Sequence, residues 1–534
     1  MQSYDLTVDK FLDHAAKWTG DREVVTADAG KVVGRIGYAA LRDRCNNLSG
    51  ALASLGLKAG DRIATLAWNT QHHLEMYYAA MGAGMVCHTL NPRVTAEHLS
   101  AMVNEAEDRV LAVAASLAPL LAQLAPLCPG LEHIILLDDD SDSTAGVTGS
   151  TAKVWAHEAL LAAHGAPAVW GDFDEHTPAG LCYTSGTTGK PKGVLYTHRS
   201  NYLHTLRALQ ADAFALTARD VLLLGVPMFH ANGWGMPFAT PAVGAKLVLP
   251  GRHADGASLA KLMRDEGVTV AAGVQTVWLG VVDHLDAVGG ELPALERVLI
   301  GGSSCPDALI RRLEQRLGAR VQTSWGMTEL SPLGTIASLD NAPGEAPASG
   351  RPVMGLDMKL TDADGTTLAS QRGAVGHLKV KGPSVLERYF KADADALDDE
   401  GYFDTGDLAS LDEAGNLTIR GRSKDLIKSG GEWINPAEIE GIVGRHPSVG
   451  QVAVVGRSDP KWGERPVLFV EARLGQSIDN QSLLQALRGK VADWWLPDEI
   501  VQIGAMPLAA TGKIDKNRLR ADYASGAGVA GSIP

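Results

Sequence analysis

The chain is 534 residues long, too many for one core, so at least two domains are expected. Hydrophobic residues make up 45% and charged residues 21%, a globular balance that excludes a disordered chain. A net charge of −14 argues against nucleic acid as the main partner, although a local basic patch can still hold an anionic ligand.

Thr7 is expected to cap a helix in which Val8, Phe11, Leu12 and Ala15 share one face. A second helix carries Leu41, Cys45, Leu48, Leu52 and Leu55 at helical spacing and stops at Gly56. Residues 62–67 read as a buried strand. The longest apolar stretch, 110–127, is interrupted by Ser116, Pro119, Gln123 and Pro126, and reads as strand then helix, not a membrane span. Residues 138–151, rich in Asp, Ser, Thr and Gly, read as a surface loop. Helix and strand are expected to alternate to about residue 420, the pattern of α/β layers with mostly parallel strands. The five cysteines, Cys45, Cys87, Cys128, Cys182 and Cys305, show no metal spacing and read as reduced core thiols. With no basic-then-apolar pattern at residues 1–6 and no targeting tripeptide in the last four residues, the expected location is cytoplasmic.

The stretch Tyr183-Thr184-Ser185-Gly186-Thr187-Thr188-Gly189-Lys190-Pro191-Lys192-Gly193 lies between two short apolar strands, and His198 to Asn201 could open a helix. Glycines let backbone N–H groups approach a polyphosphate, hydroxyls add donors, and lysines add charge. It is not a Walker A loop, because Gly189-Lys190 is followed by Pro191. The alternative is a surface hairpin. This stretch resembles the phosphate-binding signature of the adenylate-forming superfamily, which includes acyl- and aryl-CoA synthetases, peptide-synthetase adenylation domains and luciferases. The resemblance implies that Thr184, Ser185, Gly186, Thr187, Thr188, Gly189 and Lys192 hold ATP.

Later segments follow the family's order. The strand at residues 221–227 delivers Phe229-His230 and Trp234 to the mouth of a cleft. The resemblance implies that His230 borders the substrate carboxylate and that Trp234 gates an acyl channel; the alternatives are a structural His and a packing Trp. Another strand, 268–274, precedes Gln275, where fatty-acyl relatives usually carry Pro, which puts an amide near the acyl pocket. After the strand ending at Ile300, Gly301-Gly302-Ser303 suits close backbone approach to a flat ligand, and the family uses Gly302 and Ser303 against adenine. In Trp325-Gly326-Met327-Thr328-Glu329 an aromatic face can stack on a purine, Thr328 offers a hydroxyl, and Glu329 is a hard oxygen ligand for Mg²⁺; the alternative is a helix-capping pair. Thr184 and Glu329 are the candidate metal ligands. In Asp404-Thr405-Gly406-Asp407, Asp407 matches the ribose-binding carboxylate and Asp404 reads as a turn residue.

The charged run Arg420–Lys428 with Ser429-Gly430-Gly431 reads as an interdomain linker. By resemblance Arg422 touches ribose, Lys424 is the hinge, and Lys428, Gly430, Gly431 and Trp433 lie beside the CoA channel. Beyond it a small α+β unit follows, ending in Thr511-Gly512-Lys513, where the family places its catalytic lysine. The expected architecture is an α/β, multi-sheet N-terminal domain at 1–421 and a lid domain at 422–534. The expected reaction joins a carboxylic acid to coenzyme A with ATP and Mg²⁺, releasing AMP and pyrophosphate. Lys513, His230, Glu329 and Thr184 carry its chemistry. The acid expected from the resemblance is a medium- to long-chain fatty acid; an aryl, arylpropionate or methylmercaptopropionate acid stays open. So do an adenylation enzyme feeding a carrier protein, a luciferase-like oxygenase and a non-catalytic nucleotide-binding regulator. Fatty-acyl relatives are often homodimers, which the resemblance extends to this chain.

Overall fold

A computed structural model describes residues 1–138, 149–184, 191–303, 305, 307–339, 349–430, 432–473, 475–509 and 513–525. Two large sheets, of nine and seven strands, carry the N-terminal part. In the seven-stranded sheet the strands Lys153–Ala156, His133–Leu137, Val110–Ala114, Arg62–Leu66, Val86–Thr89 and Pro178–Thr184 run parallel. Val110–Ala114 is buried along its whole length, the mark of a parallel strand covered on both faces. The nine-stranded sheet has a parallel centre, with antiparallel strands at both edges. Helix Gln71–Gly82 is buried from His73 onward, packed inside the molecule, with its buried Glu75 paired to Arg44 at 2.6 Å.

The first helix spans Asp9–Trp18 and buries Phe11, Leu12 and Ala15, with Val8 also in the core. Its N-cap position is Val8, not Thr7, and the Thr7 hydroxyl accepts from Lys10 Nζ at 2.5 Å. Helix Tyr38–Ser54 buries the expected Leu41, Cys45, Leu48 and Leu52. Strand Val110–Ala114 followed by helix Ala118–Leu124 matches the reading of the long apolar stretch. No helix among the described residues is long and apolar enough to cross a membrane. Of the expected surface loop at 138–151, residues 139–148 lie outside the described set.

The expected alternation stops well before residue 420. Strands Asp357–Thr361, Val375–Lys381, Phe403–Leu411 and Leu417–Arg422 form a four-stranded antiparallel sheet without a helix between them. Val375–Lys381 alternates between buried and more exposed positions, as in a sheet with one wet face. After the single turn Ser423–Asp425 a separate five-stranded sheet begins at Ile427–Ser429, backed by helices Pro436–Val443 and Asn480–Leu487. The chain is thus mixed α/β, with a large multi-sheet N-terminal domain and a small C-terminal one.

Candidate active site

Strands Pro178–Thr184 and Lys192–Thr197 pair antiparallel at the edge of the seven-stranded sheet, with Thr184 opposite Lys192. Ser185, Gly186, Thr187, Thr188 and Gly189, expected at the phosphates, lie outside the described residues. The two strands bring Thr184 and Lys192 side by side. After the second strand Thr197 caps helix His198–Ala208 through a reciprocal pair of bonds with Ser200.

Two buried carboxylates belong to the candidate site, and one of them, Glu329, feels the charge of Lys192. Glu329 follows the strand Arg320–Gly326, and Tyr389 donates its hydroxyl to Glu329 Oε1 at 2.9 Å. Burial raises the Glu329 carboxyl above its ordinary range, while its own backbone N–H, Tyr389 and the charges of Arg422 and Lys192 pull it back. Next to Glu329, the Thr328 carbonyl accepts from Tyr196 at 2.9 Å. Gly326 passes so close to the Pro332 carbonyl that a Cβ would sit 2.2 Å from its oxygen. Met327 and Thr328 are half-buried beside it.

Asp407 is held from two sides. Arg422 Nε lies 2.9 Å from Oδ1, and Trp325 Nε1 donates to Oδ2 at 3.0 Å. Arg422 also donates to the Thr405 carbonyl at 2.9 Å. Trp325 is the residue read as a stacking face for a purine. Its indole is buried beside Gly334, and its N–H donates to Asp407. Asp404 accepts the Gly406 amide at 2.8 Å, a local turn role.

Lys513, from the far end of the sequence, stands close enough to Arg422, Asp407 and Glu329 to feel their charges. It keeps solvent contact while protein walls surround it, as in an open cleft. That crowding, with Arg422, pushes its ammonium below the usual lysine range, and the two carboxylates oppose the shift. The charge of the same ammonium is felt at His230. Burial, Lys513 and Arg93 together push that imidazole down to about 4, so it is neutral across the physiological range.

After His230 the backbone enters the left-handed region at Ala231, Asn232, Gly233, Trp234 and Gly235 in succession. Each non-glycine residue there costs about 1–2 kcal/mol, strain of the kind that collects at functional sites. The turn lays the Trp234 ring against Gly301, where a Cβ would lie 3.0 Å from the indole, and near Gly302, which has a φ of +80°. Ser303 is exposed beyond it. A cleft of about 220 Å³ opens between the two large sheets, bordered by Trp68, Arg93, Phe229, His230, Val274 and Val277. Gln275 begins helix Gln275–Val288 beside this cleft and is not among its lining residues.

In the C-terminal domain Lys424 is exposed in the Ser423–Asp425 turn. Lys428 lies 5.4 Å from the exposed Trp433 ring across a tight hairpin, and the Gly430 amide donates to Trp462 at 2.7 Å. Gly431 is outside the described residues. The residues brought together are therefore Thr184, Lys192, Glu329, Asp407, Arg422, His230 and Lys513, while Lys428, Gly430 and Trp433 pack on their own domain. Tyr389 is the contact that sequence reading missed. It falls in no motif, and its partner Glu329 lies in a distant segment.

The chain matches the family described as AMP-binding enzyme over residues 12–390, and the AMP-binding enzyme C-terminal domain over residues 438–513. It is 40% identical over 533 residues to a 3-methylmercaptopropionyl-CoA ligase of Ruegeria lacuscaerulensis, covering 98% of each chain. Over 533 residues it is also 40% identical to a medium-chain-fatty-acid–CoA ligase of Ectopseudomonas oleovorans, covering 98% of this chain and 97% of the other. Among solved structures, ATP-bound MatB from Rhodopseudomonas palustris superposes with a TM-score of 0.83 at 25% identity, covering 98% of this chain and 100% of that one.

Proposed function

The chain belongs to the AMP-binding enzyme family, and from that premise we propose that it activates a carboxylic acid as an acyl-adenylate and passes the acyl group to coenzyme A. It is an acid–CoA ligase of the AMP-forming type. What supports the mechanism is that Lys513 feels the charges of Arg422, Asp407 and Glu329 and acts in turn on His230, while Arg422 Nε stands 2.9 Å from Asp407.

A carboxylate resists thiol attack because oxide is a poor leaving group. Its attack on the α-phosphorus of ATP expels pyrophosphate and leaves a mixed anhydride, from which AMP departs readily. That first step needs fixed positive charge around an in-line displacement more than it needs a base. Lys513 supplies such charge at the junction of carboxylate and α-phosphate. Thr184 and Lys192 bracket the β and γ phosphates, Asp407 with Arg422 takes the ribose, and neutral His230 donates to the acid's oxygen. Glu329 fits a divalent cation, since it is a hard oxygen donor whose burial disfavours an uncompensated charge. When bound there, Mg²⁺ would neutralise phosphate charge. In the second step the CoA thiolate attacks the acyl carbon and AMP leaves.

The boundary near Gly421 and a hinge at Lys424 suit a lid that delivers Lys513 for the first step. The hairpin carrying Lys428, Gly430 and Trp433 would then replace it for the second. For the acid we favour an aliphatic chain of medium length, supported by Phe229, Val274 and Val277 along the cleft and by the 40% identity to a medium-chain-fatty-acid–CoA ligase. A short thioether acid is the second reading, favoured by the Trp234 ring closing on Gly301. A panel of aliphatic, thioether and aryl acids, assayed for AMP release with CoA, tests both. The highest kcat/KM is expected for medium chains. Acid-independent AMP release, or none with any acid, would overturn the reading.

A further inference from the structure

The segment Ser384–Lys391 links two parts of the site that come from different sheets. At one end Ser384 Oγ donates to the Leu330 carbonyl at 3.2 Å, and the Leu386 amide donates to the Glu329 carbonyl at 2.7 Å. At the other end the Phe390 amide donates to the Gly193 carbonyl at 2.8 Å, one residue past Lys192. A Cβ on Gly193 would lie 2.9 Å from that of Phe390, so only glycine lets the two segments meet. Lys391 then pairs with Glu107, at a φ of +56°. Between the two anchors Tyr389 makes both side-chain contacts. Its hydroxyl donates to Glu329 Oε1 at 2.9 Å, and the Lys192 ammonium sits 4.8 Å from its ring centroid. The ring itself is backed edge-on by Phe403, 6.4 Å away.

We propose that Tyr389 is a positioning residue for the polyphosphate of Mg·ATP, setting the spacing between the Lys192 ammonium and the Glu329 carboxylate. This rests on the reading that Lys192 and Glu329 hold that polyphosphate. The hydroxyl fixes one of the two Glu329 oxygens and leaves the other to face a cation. The ring holds Lys192 by cation–π attraction, which orients the ammonium without neutralising it. No direct contact between Tyr389 and substrate is needed. The geometry makes a selective demand: AMP, which lacks the β and γ phosphates, should be indifferent to Tyr389.

Calorimetric titration with Mg²⁺ and α,β-methylene-ATP, and separately with AMP, tests this on the full chain. Tyr389→Phe should weaken binding of the Mg-bound analogue about tenfold, the loss of one hydrogen bond to a charged group. Tyr389→Leu should weaken it several-fold more by also removing the ring. AMP affinity and the thermal midpoint of Tyr389→Phe should stay near wild type. Unchanged affinity for the analogue would overturn the proposal. So would equal losses for the analogue and AMP, which would mark Tyr389 as part of the general packing. A wild-type chain that binds neither nucleotide would refute the ligase reading itself, a result distinct from either.

Discussion

Lys513→Ala separates the two halves of the reaction. The side chain keeps solvent contact, so truncation removes a charge and leaves no core cavity. What is lost is an ammonium whose charge acts on Glu329, Asp407 and Arg422. At an effective dielectric of about 20, a unit charge acting at about 4 Å is worth roughly 4 kcal/mol. Measured losses of a single preorganised donor run to about 2.7–4 kcal/mol, or about 10²–10³ in rate. The two figures agree, so adenylation should slow by about two to three orders of magnitude. Thioester formation from supplied acyl-adenylate and CoA should stay near wild type if the proposed lid carries Lys513 away before that step. Single-turnover kinetics of each half with one accepted acid measure this directly. Equal losses in both halves would refute the alternating-lid reasoning.

Other perturbations read other parts of the site. Glu329→Gln keeps the shape but replaces a charged oxygen, so the Mg²⁺ concentration for half-maximal adenylation should rise about tenfold or more; an unchanged Mg²⁺ dependence removes Glu329 from the metal site. Trp234→Ala opens the space over Gly301, so chain-length preference should shift toward longer acids with little change in KM for ATP. Identical profiles would reduce the ring to packing. Gly334→Ala puts a Cβ 2.5 Å from Trp325 ring atoms and should push the indole off Asp407. AMP affinity should fall by about 1–3 kcal/mol as that carboxylate loses its donor. If stability drops while AMP binding holds, Trp325 has no part in nucleotide binding.

Local features of the chain were legible and distant ones were not. The strands that end at Thr184 and begin at Lys192, the turn at Thr328-Glu329 and the turn at Asp404–Gly406 each occupy one short stretch and can be read from it. Buried parallel strands such as Val110–Ala114 read as continuous apolar runs. The antiparallel sheet across 357–422 was misread as continued alternation, although the period-two pattern of Val375–Lys381 carries the signal. Trp325 shows a further limit. The Asp407 carboxylate that accepts the indole N–H is brought in by tertiary structure, so the stretch around Trp325 does not announce that bond. Tyr389 makes its contacts with Lys192 and Glu329 across two sheets, so nothing in its own stretch of sequence marks it.

The central claim is that the substrate's carboxylate attacks the α-phosphorus of ATP. An acid labelled with ¹⁸O in its carboxylate, incubated with the enzyme, ATP, Mg²⁺ and CoA, tests it by mass spectrometry of the products. One ¹⁸O is expected in AMP for each acyl-CoA formed and none in pyrophosphate, because the attacking oxygen stays on phosphorus when the thiolate cleaves the acyl–oxygen bond. Label in pyrophosphate or free phosphate, or unlabelled AMP alongside acyl-CoA, would contradict it.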